Sequence, residues 1–335
     1  IQATPILAEQ AKQLTVFQRT PAFCMPSGNR PLDEQHEQDW KTQYAERRDQ
    51  MLNAYGASLV EYPEYCAHDC TPAQREEILE KSWNSKSAFQ MLFAFRDVMT
   101  DQAANEIVCE FVRKKIRSIV KDPETAELLC PKSYPIGGKR LCVGNGYYEM
   151  YNQENVALVD VRSAPIVEFN ETGLRTTDAE YDLDIIVTAT GFDAVTGAMA
   201  RIDIEGCNKL KLQDKWEEGP TTYLGAMISG FPNLFMIHGP ATPGAQAQMI
   251  TTGEWQVNWV ADIIDDMERQ DHSRIDVTEE AEESWAQEVD GVSQQSLLRL
   301  ADSWYNGKNI EGKKGGFMVY VGGFPRFSQL CDEEG

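Results

Sequence analysis

The stretch from Tyr181 to Asp193, Tyr-Asp-Leu-Asp-Ile-Ile-Val-Thr-Ala-Thr-Gly-Phe-Asp, constrains the fold more than any other part of the chain. Its centre, Ile185-Ile186-Val187, is a β-branched run bounded by polar residues and Gly191. That is the pattern of a short strand buried on both faces, as in parallel sheets covered by helices. Thr188-Ala189-Thr190-Gly191 carries only small side chains, which suits a strand end that another backbone or a flat ligand approaches closely. An ordinary buried strand closed by glycine has the same pattern, and the surrounding chain decides between the two.

At the start, Ile1 to Gln13 is helix-compatible, with Pro5 tolerable only in a first turn. Leu14-Thr15-Val16-Phe17 has strand composition and runs into Pro21, which ends the element. Helix then strand fits the middle of a βαβ unit, and a dinucleotide fold places its ribose-reading residue at this strand end. An acidic residue there would favour NAD. Arg19 stands there instead, and a guanidinium suits a 2′-phosphate through bidentate, charge-assisted hydrogen bonds. A solvated arginine at a strand end is the alternative.

From Asn29 to about Pro131 the periodicity is helical, predicting helices over Asp33 to Tyr55, Pro72 to Trp83 and Asp101 to Lys121, with a shorter turn over Pro123 to Leu129. Thr71-Pro72-Ala73-Gln74 is a start signal, with a Thr cap, Pro at the first position and Gln at the third. Ser87 to Met99 is dense in Phe and Met and reads as core. Gly137-Gly138-Lys139-Arg140 then sets two cations in a glycine-rich turn, without the Gly-x-x-x-x-Gly-Lys-Ser/Thr spacing that cradles phosphates. Val156 to Val161, Ile166 to Phe169 and Leu174 to Thr177 read as strands, and Leu234 to Ile237 as another that empties into the Gly/Pro loop His238 to Gly244. A helix over Thr252 to Met267 and an acidic one capped by Thr278 follow.

With 335 residues the chain is long enough for about two or three domains. Asp plus Glu outnumber Lys plus Arg, 53 to 31, for a net charge of −22. That excludes indiscriminate binding to nucleic acid or anionic lipid, which needs a basic face. No apolar run approaches the roughly 18 residues that span a bilayer and no signal peptide opens the chain, so a cytoplasmic location is expected. The eight cysteines show no zinc-site spacing and read as reduced, packed thiols, and no metal is expected. Ile1 already falls inside a predicted helix, which suggests part of a longer protein.

Several separated motifs agree on one family. Val16-Phe17-Gln18-Arg19-Thr20-Pro21, Gly28-Asn29-Arg30-Pro31, Lys139-Arg140-Leu141-Cys142, Gly146-Tyr147-Tyr148-Glu149, Ala189-Thr190-Gly191-Phe192-Asp193, Gly230-Phe231-Pro232-Asn233 and Ser303-Trp304-Tyr305 occur in order and at compatible spacing. In these the chain resembles the Baeyer–Villiger monooxygenases, whose FAD- and NADPH-dependent members insert one oxygen of O2 beside a ketone to give an ester or lactone. The resemblance implies an α/β fold: parts of two dinucleotide-binding, Rossmann-like domains with an inserted α-helical block. Residues 1–20 and 133–190 would belong to an incomplete NADP-binding domain, 21–132 to the helical insertion, and 191–335 to the carboxyl-terminal part of an FAD-binding domain.

By the same resemblance Arg19, Thr20 and Lys139 clamp the NADPH 2′-phosphate, Arg140 is the catalytic arginine beside the flavin, and Trp304 contacts the nicotinamide cofactor. Thr190, Gly191, Phe192 and Asp193 take part in cofactor binding, and Gly244, Ala245, Gln246 and Met249 line the ketone pocket. The Gly-x-Gly-x-x-Gly loops of such enzymes and their Phe, Gly, His and Trp-Pro fingerprint are absent from the sequence. The expectation is therefore an inactive carboxyl-terminal fragment whose partner is the missing amino-terminal half of the same protein. A flavin monooxygenase oxidising nitrogen or sulfur, or a non-catalytic remnant, is the alternative.

Overall fold

The computed structural model describes residues 1–244, 246–308, 310, 312 and 314–334. By internal contacts the chain divides into two compact units, one of Ile1–Asn29, Pro63–Gly137 and Leu141–Gly191, the other of Arg30–Tyr62, Gly138–Arg140 and Phe192–Gly335. The helical stretch is thus shared, its first part going to the second unit and the remainder to the first.

In the first unit α1 (Thr4–Gln10), with Pro5 in its first turn, leads into β1 (Leu14–Gln18). β1 pairs in parallel with β4 (Val156–Asp160), Gln18 opposite Asp160, so two strand carboxyl ends lie side by side. A second short parallel pair joins β2 (Cys24–Met25) to β3 (Cys142–Val143). β5 (Ile166–Asn170), β6 (Gly173–Thr176) and β7 (Glu180–Asp182) form a three-stranded antiparallel meander.

Four helices fill the rest of this unit: α4 (Pro72–Asn84), α5 (Ala88–Leu92), α6 (Gln102–Ile119) and α7 (Pro123–Leu129). The Thr71/Gln74 capping box forms as the sequence predicts, and Asp101 caps α6 through the amide of Ala104. The apolar stripe of α6, Val108, Phe111, Val112 and Ile116, is buried, and Phe111 packs edge-on against Trp83 of α4 at 6.3 Å. Met91 to Phe95, Val98 and Met99 are buried as core.

The second unit holds α2 (Glu34–Thr42) and α3 (Tyr44–Leu52), broken at Gln43, with short α8 (Gly197–Ala200) and α9 (Leu212–Lys215). α10 (Met249–Arg269), α11 (Glu279–Ser293) and α12 (Phe324–Glu334) are its long helices. Its core gathers Trp259, Trp285, Tyr320, Phe324 and Phe327. α12 starts at Phe324 with Pro325 in its first turn, directly after Gly323 at φ +89°.

Two expected strands are not formed. Ile185–Val187 has no ladder partner among the described residues, and its side chains are 81%, 39% and 70% exposed. β-branched composition specifies a strand only where a neighbour satisfies its backbone groups, and the last such bond here is Leu183 N–H to Thr172 O at 2.8 Å. The expected buried strand, in one sheet with Leu14–Phe17, is therefore replaced by an exposed extended run. Leu234–Ile237 likewise forms no strand: Asn233 (φ 59°) and His238 (φ 56°) bracket it with left-handed turns, and Met236 N–H donates to Ala226 O at 2.8 Å outside any ladder among the described residues. Its Met236 still packs with Leu212, Ile228 and Phe231. All eight cysteines are unbridged, as expected.

Candidate cofactor and substrate site

Because β1 and β4 run in parallel and in register, the residues following each meet at one edge. Val161 N–H donates to Gln18 O at 3.0 Å, and the Arg162 guanidinium Nη2 donates to Thr20 Oγ1 at 2.9 Å. Arg19 between them is exposed. The Asp160 carboxyl accepts from Ser163 Oγ at 2.7 Å and Arg162 N–H at 3.0 Å, and these bonds hold it below the ordinary carboxylate range. A hydroxyl and two guanidinium-bearing residues at adjoining strand ends suit a phosphate monoester. Sequence reasoning named Arg19 and Thr20 and not Arg162, because only the β1–β4 pairing brings Arg162 alongside Thr20.

Lys139 and Arg140 sit on a short excursion between two anchored points. Before it, Asn105 on α6 takes both backbone groups of Ile136: its Nδ2 donates to Ile136 O at 3.0 Å and its Oδ1 accepts from Ile136 N–H at 3.0 Å. Nδ2 also donates to Val98 O at 2.8 Å, and the side chain is 2% exposed. Gly137 then turns at φ +88°, where a Cβ would lie 2.6 Å from Met99 Cε. After the excursion, Cys142 N–H donates to Phe23 O at 3.2 Å and restarts the first unit. Gly138–Arg140 itself groups with the second unit. Replacing Asn105 by alanine strands the Val98 and Ile136 carbonyls in the core, while the Ile136 amide keeps Cys109 Sγ at 3.3 Å, and should destabilise by about 2–4 kcal/mol on a scale of 1–3 per buried group. Urea unfolding with a loss under 1 kcal/mol would show that the pocket refills without it.

Of the other expected site residues, Thr190 and Gly191 are exposed, and Gly191 at φ +95° has nothing within 4 Å of where a Cβ would stand. Such a bare, small-residue end fits the close approach of a flat cofactor. In the second unit Phe192 is 92% exposed. Asp193 lies against Gly197 and lines a cleft of about 580 Å³ with Thr196, Gln213, Trp216, Glu217 and Lys314. Trp304 is half-buried against Tyr305, ring centroids 4.1 Å apart.

The 244–249 loop is split by environment: Gly244 and Gln246 are buried, while Met249 is 42% exposed and opens α10. Ala245 lies outside the described residues. Among the described residues no group of three or more potential metal ligands assembles, and no helix is long and apolar enough to cross a membrane.

Comparison with known proteins turns this α/β framework into a class, the FAD- and NADP-binding monooxygenases. A crystal structure of OTEMO in complex with FAD and NADP superposes with a TM-score of 0.93 at 37% identity, covering 98% of this chain and 61% of that one. A Baeyer–Villiger monooxygenase of Pseudooceanicola batsensis is 38% identical over 98% of the chain and 60% of its own length. A phenazine N-monooxygenase of Lysobacter antibioticus is 36% identical over 93% and 58%. No family model matches the chain. Over nearly its whole length the chain is similar to Baeyer–Villiger monooxygenases, and it spans about three fifths of the length of these relatives.

Proposed function

We propose that the full-length protein carrying this chain is an NADPH- and FAD-dependent Baeyer–Villiger monooxygenase, located in the cytoplasm, that converts a ketone and O2 into an ester or lactone. In this reading 1–20 and 133–190 contribute to the NADP-binding domain, 21–132 is the helical insertion and 191–335 contributes to the FAD-binding domain. The observation that carries it is the Thr20–Arg162 contact beside Arg19 at the ends of the parallel pair, a phosphate-sized cationic edge. Bound FAD would supply activation of O2 by electrons taken from NADPH. Arg19, Thr20, Lys139 and Arg162 would hold the coenzyme phosphate, Thr190 to Asp193 and Trp304 would border the cofactors, and Gly244 to Met249 would line the ketone pocket. Arg140 would place a permanent positive charge beside the ketone oxygen.

Incubating the full-length protein with NADPH, a cyclic ketone and ¹⁸O2 should give lactone carrying one labelled oxygen, while NADPH oxidation without lactone would refute the reading. N-oxidation is the second reading, favoured by the likeness to phenazine N-monooxygenase, and N-oxide from a phenazine in place of lactone would establish it. The 335-residue chain alone should bind FAD poorly and purify colourless, since it contains no Gly-x-Gly-x-x-Gly loop to supply pyrophosphate donors. A stoichiometric flavin absorbance would overturn that expectation.

A further inference from the structure

Cys24 and Cys142 stand opposite each other as register partners where β2 and β3 begin their parallel pairing. Two ladder bonds bracket the pair: Cys142 N–H donates to Phe23 O at 3.2 Å, and Gly144 N–H donates to Met25 O at 2.9 Å. Adjacent strands run roughly 4.7–4.9 Å apart, inside the Cα separation of roughly 4.4–6.8 Å that a disulfide spans. The two side chains also leave the sheet on one face. A Cβ built on Gly144 would lie 3.6 Å from Cys24 Sγ, and Gly144 and Cys142, two positions apart on one strand, point the same way.

The two thiols differ in access. Cys24 is 2% exposed, and burial pushes its thiol up to about 12, so it stays protonated at neutral pH and shielded from solvent. Its backbone is fixed as well, the N–H donating to the Tyr148 hydroxyl at 3.0 Å. Cys142 is only half-buried, so a small oxidant reaches its sulfur first. A solvent-reachable thiol backed by a second thiol on the neighbouring strand is the arrangement of an attacked and a resolving cysteine. Among the described residues no other ladder sets one cysteine opposite another.

We propose that Cys142 is a peroxide-modification site and that Cys24 resolves it into a reversible disulfide, keeping Cys142 from irreversible oxidation. The Cys142 sulfur attacks hydrogen peroxide: an S–O bond forms, the O–O bond breaks, and the thiol proton leaves with the released hydroxide as water. Cys24 then attacks the sulfenic sulfur, an S–S bond forms as the S–O bond breaks, and the departing hydroxide takes the Cys24 proton as a second water. Two thiols thus lose two electrons and two protons, and one peroxide becomes two waters. Without Cys24 the sulfenic acid goes on to a sulfinate, a permanent negative charge two residues from Arg140. O2 that takes two electrons from NADPH without oxygenating a ketone yields this oxidant, so its source rests on the reading above, while the pairing of the two sulfurs does not.

The test adds hydrogen peroxide to the full-length protein directly, so it stands whether or not the enzyme makes ester. Non-reducing tryptic mapping by mass spectrometry should find the Cys24 and Cys142 peptides joined, lighter by two hydrogens than the separate thiol peptides, and dithiothreitol should part them again. Cys24→Ala should accumulate several-fold more sulfinic acid at Cys142 than the unmodified protein, and dithiothreitol should not reverse it. Cys142→Ala should leave Cys24 a thiol at the same dose. If Cys24→Ala does not fold, the joined peptides of the unmodified protein decide alone. Two unreacted thiols, sulfinic acid at Cys142 without joined peptides, Cys142 joined to a different cysteine, or equal sulfinic acid with and without Cys24 would overturn the assignment. Joined peptides from a protein that makes no ester would uphold this inference and remove the Baeyer–Villiger reading.

Discussion

Arg140→Ala in the full-length enzyme is expected to lower ester formation at least about 10²- to 10³-fold, by analogy with loss of one donor to a developing oxyanion. As oxygen is added to the ketone, negative charge grows on the former carbonyl oxygen, and a fixed cation in a water-poor pocket offsets it. Arginine supplies that charge without titrating. Lysine offers a compact charge on a flexible stem whose pKa burial lowers, so Arg140→Lys should recover little. NADPH consumption should persist far better than ester yield, because hydride delivery develops no such anion beside the guanidinium. Measuring both per enzyme separates the two, and normal ester yield from Arg140→Ala would remove the residue from the oxygenation step.

The second large effect concerns coenzyme choice. Arg19→Ala, Lys139→Ala and Arg162→Ala should each raise the KM for NADPH about tenfold or more while leaving NADH nearly unaffected, since only NADPH carries the 2′-phosphate. A charge-assisted hydrogen bond contributes roughly 1.5–3 kcal/mol, and 1.4 kcal/mol is a factor of ten. Arg162→Ala also releases Thr20 Oγ1. Steady-state kinetics with both coenzymes decides: equal losses would assign the residue to folding.

How far the sequence could be read depended on whether the signal was local. Thr71-Pro72-Ala73-Gln74 and the helix expected over Asp101 to Lys121 are decided within a few turns, and both form, the helix over Gln102–Ile119. Leu14 to Phe17 is a strand because a neighbour is supplied, Val156 to Asp160, in the same unit. Ile185 to Val187 has the stronger strand composition and no such neighbour among the described residues of this chain, which spans about three fifths of its relatives' length, so composition alone forms no ladder here. Arg162 and Asn105 escaped for a related reason. Each matters through a partner far off in sequence, 142 residues for Arg162 with Thr20 and 31 for Asn105 with Ile136. Single residue types do not announce such pairings. Arg19 was singled out because its place at a strand end carries meaning by itself, and Thr20 through the family resemblance.

The bare run at Ile185–Val187 bears on how this polypeptide behaves in a tube. Its extended backbone, outside any ladder among the described residues, and residues up to 81% exposed make a template on which the same run of another molecule can add as a strand. The net charge of −22 opposes that encounter through repulsion that reaches only about a Debye length, roughly 10 Å at 0.1 M salt. Solutions of the chain should therefore stay clear at low ionic strength and turn turbid as salt is added, the reverse of ordinary salting-in.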